Sequence, residues 1–140
     1  MNSYTIRRVE MPVKVKEIWY VAHPVSGDPI ANCFKVVQWI KWFTENDPSR
    51  IYIAPWVPEV LAFPNTSGPS DPVYERALAN DEMIVMKLDG IVAVGGRMSV
   101  GMKREWDCAM ANGKWCTDLT QYNTPNDLPE GFFMDPASED

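Results

Sequence analysis

Glu105 stands six residues after Ser99 in the run SVGMKRE, with Gly101 between them. If that run opens a helix, its side chains lean toward the helix N-terminus. The Glu105 carboxylate then lies over Gly101 and Met102 and points back at the mouth of the preceding loop. A carboxylate so placed can act as a nucleophile or stabilise a developing positive charge. The same spacing also suits an exposed helix glutamate with lysine or arginine neighbours. A second acid, Asp81, shares a helical stripe with Ala77, Ile84 and Leu88. Desolvation there raises a carboxyl pKa and makes a proton donor near neutrality. A buried aspartate bonded to a backbone N–H, or to an arginine such as Arg76, fits that stripe equally. The chain has one histidine, His23, so a zinc site built on several histidines cannot be assembled, and no metal is called for. A Ser/His/Asp or Cys/His unit would have to use that one ring.

These residues need elements to hold them. Val15 to Ala22 alternates like a strand and runs into the turn-rich HPVSGDP. A helix follows, with Asp28 as cap, Pro29 in its first turn, and Ile30, Cys33, Phe34, Val37, Ile40 and Phe43 at helical spacing up to Asn46. Ile51 to Pro55 reads as a short strand, and the proline-rich stretch from Pro55 to Pro72 as a loop with one helical turn. The pattern turns helical again from Asp71 and Pro72 through Met86, with Val73, Ala77, Ile84 and Leu88 on one face. GIVAVGG, residues 90–96, has the continuous β-branched character of a parallel strand buried on both sides. A helix from Val100 to Asn112 follows, capped by Ser99 and ended by Gly113, and Lys114 to Leu119 offers a last strand. Residues 1–122 read as a single domain. The stretch 123–140, rich in Pro, Asp and Glu, reads as a poorly ordered tail.

Strands alternating with helices imply a doubly wound, flavodoxin- or Rossmann-like α/β domain, a mostly parallel sheet of four to five strands with helices on both faces. In the common strand order 2-1-3-4, the switch point lies between the first strand and GIVAVGG, and ligands bind there beyond the strands' carboxyl ends. The loops HPVSGD and GGRMSVG then face each other. Each leads into a helix and can present backbone N–H groups to an anion. Ser26 with Gly27, and Ser99 with Gly101, form a candidate phosphate or sugar-hydroxyl cradle beside Arg97. Taken singly, the same residues are ordinary turn and cap residues. Lys103 and Arg104 lie nearby, and a solvated helix start explains them better.

Composition narrows the partner. Nineteen acidic against thirteen basic side chains give a net charge of −6 and a pI near 4.7, which opposes attraction to nucleic acid or an anionic membrane. A small molecule is the expected ligand. Cys33, Cys108 and Cys116 show no CxxC spacing, so the thiols are expected to be reduced and the chain cytoplasmic. No apolar run is long enough to span a bilayer, and the start MNSYTIRRVE lacks a signal-peptide core.

Three segments, WYVAHPVSGD, YERALANDEMIVMKLDGIVAVGG and SVGMKREWDCAMANGK, together resemble the nucleoside 2-deoxyribosyltransferase-like superfamily, which includes deoxynucleoside 5′-monophosphate N-glycosidases. The resemblance covers about residues 18 to 114. It implies that Glu105 is a nucleophile attacking C1′ of the sugar and that Asp81, eight residues before Asp89, protonates or orients the departing base. It places Tyr20, His23, Ser26, Gly27, Arg97, Ser99, Gly101 and Met102 around the substrate, with Ser26, Gly27 and Ser99 toward a 5′-phosphate. Ser99, where the transferase branch has an aspartate, favours hydrolysis of a nucleotide over base exchange. Met102 replaces the family's usual threonine, and His23 and Pro24 replace small residues. No cofactor is implied, and a homodimer is. A non-catalytic nucleotide-binding module of the same fold, and an interaction protein using its tryptophans and proline-rich loop, are the rival expectations.

Overall fold

The computed structural model describes residues 15–66, 68 and 70–137. Its centre is β1 (Glu17–Ala22), whose last four residues are buried. After it come α1 (Pro29–Asn46), β2 (Arg50–Ile53), α2 (Trp56–Ala62), α3 (Pro72–Lys87), β3 (Gly90–Val94), α4 (Val100–Ala111) and β4 (Trp115–Leu119). All strands are parallel, in the order β2-β1-β3-β4. The four-stranded Rossmann-like α/β arrangement therefore has its switch point between β1 and β3, as the pattern predicts. Every residue of β3 is buried, which is why that segment is apolar without alternation.

Side chains of consecutive strand residues point to opposite faces, and this sorts the helices. Trp19 lies against Tyr52, which stacks on Phe43 of α1 at 4.4 Å between ring centroids. The neighbouring Tyr20 bonds to Glu105 of α4. Helices α1 and α4 thus cover opposite faces, and α3 packs on α4. Caps fall where expected: Asp28 accepts from the Ala31 N–H, Asp71 from Val73, and Ser99 from Met102.

The structure corrects three expectations. Ile30, Phe34 and Val37 of α1 are exposed, and the buried stripe is Asn32, Cys33, Val36, Trp39 and Phe43. Trp39 and Phe43 stack on each other and fill the space over the sheet, so the largest rings set the helix's rotation. On α3, Val73 is likewise exposed while Asp81 and Val85 are buried. The proline-rich stretch forms the seven-residue α2. Pro55 and Pro58 sit at its N-terminal end, where a missing N–H costs nothing, and Trp56 anchors it by donating to the Val21 carbonyl at 3.0 Å. Third, the segment after Asn123 is packed as far as Ala137. Trp39 donates to the Asn123 carbonyl, Phe132 packs on Trp42 and Tyr122, and Met134 and Ala137 are buried.

That segment is held partly by a charge cluster near the amino ends of β1 and β2. Arg50 is buried, stacks over Trp19 at 4.6 Å, and donates to Glu17, Asp47 and the Asp135 carbonyl. Ser49 and Tyr52 also donate to Asp47, and the Ala137 N–H donates to Ser49. Burial alone would raise the Asp47 pKa, but these three hydrogen bonds and the Arg50 charge hold it below its ordinary value. Removing one partner of a buried pair leaves the other charge uncompensated. Asp47→Ala is therefore expected to cost about 3 kcal/mol, read as a lower urea midpoint, with the tail after Asn123 becoming protease-sensitive.

Candidate functional site

Four elements bring acidic or phenolic groups to one place on the α3–α4 face of the sheet. β1 supplies Tyr20, α4 supplies Glu105, α3 supplies Asp81 and α2 supplies Glu59. Tyr20, Asp81 and Glu105 are 0%, 3% and 6% exposed, so neither acid faces solvent, and Glu59 is half-buried. The Tyr20 hydroxyl donates to Glu105 Oε2 in a short hydrogen bond. Asp81 Oδ1 is buried without a hydrogen-bond partner among the described residues. Burial, rather than an arginine, governs the site.

Its electrostatics follow from that closure. Burial pushes the Glu105 carboxyl up to about 7, aided by the charges of Glu59 and Glu82 and opposed by the Tyr20 hydrogen bond and by Arg104. Asp81 is driven further, to about 9, by burial first and then by the charges of Glu105 and Glu59 and the proximity of the Glu59 carboxyl, with the Tyr20 hydroxyl opposing the rise. Glu59 is raised by burial. Tyr20 is raised well above its ordinary value by burial and by the surrounding carboxylates, so its hydroxyl stays protonated as a donor. Near neutrality one acid ionises while the other keeps its proton, the division that acid–base chemistry on a poor leaving group needs.

A second group of residues surrounds a cleft of about 520 Å³ at the switch point. Its walls are Pro24, Ser26, Asp28, Asn32, Lys35, Gly95, Gly96, Arg97, Gln121 and Asn123. The Arg97 guanidinium crosses the crevice and donates to the Ser26 carbonyl at 3.2 Å and its hydroxyl at 3.1 Å. The two loops therefore do face each other. With Lys35, Arg97 gives the cleft two cationic side chains beside the N-terminus of α1, a setting that suits an anion.

His23 lies between the two regions. It is 3% exposed and stacks on Trp56 at 6.2 Å. Its Nδ1 donates to the Pro24 carbonyl at 2.7 Å, and its Nε2 is buried without a partner among the described residues. Burial lowers its pKa, so the ring is a neutral acceptor at Nε2. Gly95 beneath it has φ +105°, and a Cβ there would lie 2.6 Å from the imidazole, so only glycine lets β3 end this close to β1.

Other candidates take local roles. Gly27 has positive φ and turns the chain into α1. Ser99 caps α4, and the Met102 thioether accepts from the Ser99 N–H while its side chain lies in the core. Gly101 faces Leu78 and Tyr74 of α3, which a Cβ would meet at 3.5 and 3.7 Å, ordinary contact distances, so the packing of α4 on α3 does not require glycine there. Lys103 pairs with Asp107, and Arg104 with Glu75 and Glu82, outside the cleft. Sequence reasoning missed Glu59, Lys35, Asn32, Gln121 and Asn123. Glu59 falls in the proline-rich stretch that reads as a loop, and Asn123 opens the stretch that reads as a tail. Asn32 and Lys35 stand about one and two turns from the α1 cap Asp28, on the same side of the helix, a position that signals proximity to whatever the cap faces.

No protein-family model matches the chain, and comparisons with curated proteins and with solved structures find no match either. No helix among the described residues is long and apolar enough to cross a membrane.

The raised pKa values also bear on stability. Below about pH 4 Asp81 is protonated in both folded and unfolded chains. Between there and its folded value near 9 the native state holds a proton that the unfolded chain releases, so stability falls as pH rises. Asp81→Asn carries no such penalty. It is expected to be more stable than wild type by several kcal/mol at pH 8, about 5 kcal/mol at most, and indistinguishable from it near pH 4, in paired urea titrations.

Proposed function

We propose that the chain cleaves, or exchanges across, the N-glycosidic bond of a (deoxy)nucleoside 5′-monophosphate or nucleoside. The observation that carries this reading is the convergence of Glu105 and Asp81, 24 residues apart in the sequence, on one buried pocket of charge behind Tyr20. The bond resists cleavage because the base leaves poorly and the sugar carbon becomes cationic. Glu105, ionised, attacks C1′. The electron pair of the C1′–N bond passes to the base nitrogen, which takes its proton from Asp81. Water then attacks C1′ of the glycosyl ester, gives its proton back to Asp81 and frees Glu105. A sugar or base in place of water makes the reaction a transfer. Tyr20 orients the Glu105 oxygens through its hydrogen bond. Arg97, Lys35 and Ser26 line one side of the crevice, and these cationic side chains are the seat this reading assigns to a 5′-phosphate.

A second reading has its own observation. The cleft walls include neither Glu105 nor Asp81, as a nucleotide-binding module without turnover would require. Incubation with each deoxynucleoside monophosphate, followed by chromatography for free base, separates the two. Catalysis predicts base release that falls at least about 10³-fold in Glu105→Gln. A nucleotide that raises the melting temperature without releasing base establishes the binding module. If turnover occurs, kcat/KM rises as Glu105 ionises about pH 7 and falls as Asp81 loses its proton about pH 9. A profile flat from pH 6 to 10 would exclude these two roles.

A further inference from the structure

Helix α1 packs on β2, while α4 packs on β3 and β4 from the opposite face. The α1 side of β4 is therefore covered by the C-terminal segment. Between that segment and the sheet lies a cavity of about 500 Å³, within the range of small-molecule sites. The strand register builds its floor. Trp19 is paired with Gly90 and Gly90 with Trp115, so both indoles lie on the face that carries Tyr52, with Thr117 and Leu119 further along β4 on the same side. Gly90 is needed between them, because a Cβ there would fall 2.4 Å from the Trp19 indole. Phe132, Phe133 and Met134 form the lid. Two hydrogen bonds hold it down, from Arg50 to the Asp135 carbonyl and from the Ala137 N–H to Ser49. Trp115 and Phe133 line the cavity yet are 66% and 69% exposed, which puts one ring of the floor and one of the lid at its rim.

The polar wall is an ion pair with capacity left over. Glu17 Oε1 accepts from Trp19 at 3.0 Å and from Arg50 Nε at 2.8 Å, and Arg50 Nη1 serves Asp47 and the Asp135 carbonyl. Glu17 Oε2 and Arg50 Nη2 take no hydrogen bond among the described residues. Glu17 and Arg50 both line the cavity, so one wall offers an acceptor beside a donor. It also carries both signs of charge. An anion would meet Glu17 and Asp135, and a cation would meet Arg50.

We propose that this cavity is a second ligand site, taking a neutral planar heteroaromatic molecule with an N–H beside a C=O on one edge. The ring stacks against Trp115 and Phe133. Its N–H donates to Glu17 Oε2 and its C=O accepts from Arg50 Nη2. The site lies on the sheet face away from Tyr20 and Glu105 and does not rest on the glycosidic reading.

The probe is 2-quinolinone, a neutral bicyclic lactam, titrated into the full chain and followed by amide ¹H–¹⁵N spectra. Signals of Trp115, Thr117, Phe133 and Met134 are expected to move together and saturate, while those of Gly95, Gly96 and Arg97 at the switch-point cleft stay in place. Naphthalene, which keeps the rings and lacks the edge, is expected to bind at least about tenfold more weakly, as are quinoline-2-carboxylate and 2-naphthylmethylammonium. Trp115→Ala, at an exposed position, is expected to weaken binding about tenfold or more, and Thr117→Phe, which fills the floor, to abolish it. No saturation at millimolar probe overturns the site, as do shifts centred on the cleft or binding indifferent to Trp115→Ala. Equal binding of naphthalene and 2-quinolinone overturns the role of Glu17 and Arg50. A concentration-dependent dimer that Trp115→Ala dissolves, with no response to the probe, makes the aromatic rim an interface between copies and removes the ligand site.

Discussion

The Tyr20 hydroxyl sits on the central strand with no exposure to solvent, and its single proton must go to one acceptor. It goes to Glu105. Once that bond is made, α4 is fixed against β1 on the side of the sheet opposite α1, and Asp81 of α3 is left with its own proton to keep. The protonation pattern of the whole acidic group follows from which carboxylate receives the one phenolic hydrogen bond. Burial then enforces it, because at low dielectric an ionised carboxylate without donors is displaced by its neutral form.

The two regions of buried charge work in opposite senses. Near the amino ends of β1 and β2, Asp47 is paired with Arg50 and bonded by Ser49 and Tyr52. It stabilises the fold above its unfolded titration range and loses that contribution as pH falls. Around Tyr20 no salt bridge reaches Glu105 or Asp81 among the described residues, and the contribution of these acids declines as pH rises. The aromatic stack of Trp39, Phe43 and Tyr52 lies on the face away from the acids, so the main apolar packing and the acidic group are on opposite sides of the sheet. A fold with one securely paired end can carry a destabilised cluster elsewhere.

Much of this architecture was legible in the sequence because its signals are local. Asp28, Asp71 and Ser99 announce helix starts by cap chemistry, and GIVAVGG announces a buried strand by lack of alternation. The strand order, the facing loops and the burial of Asp81 follow from those elements. The inward stripe of α1 was misread because periodicity counts Phe34 and Val37 equally with Trp39, whereas packing favours the ring that best fills the layer over Tyr52. Glu59 was not legible. Proline-rich sequence suggests a loop, and only tertiary anchoring of Trp56 on Val21 turns residues 56–62 into a helix that delivers a third carboxyl. Asn123 was hidden for a similar reason, since the tail is held by partners more than seventy residues away, such as Trp39 and Ser49.

Helix α2 ties the cationic cleft to the acids. Trp56 donates to the Val21 carbonyl and stacks on His23, and Glu59, one turn further on, reaches Asp81. His23 in turn rests on Gly95, which lines the cleft with Pro24 and Arg97. The contacts from Arg97 to Asp81 are thus contiguous and pass through α2. Tyr20, His23 and Asp81 are closed to solvent, so the acids and the cleft are two regions of one continuous packing unit, joined through a short helix whose Leu61 and adjoining Phe63 are more than half exposed.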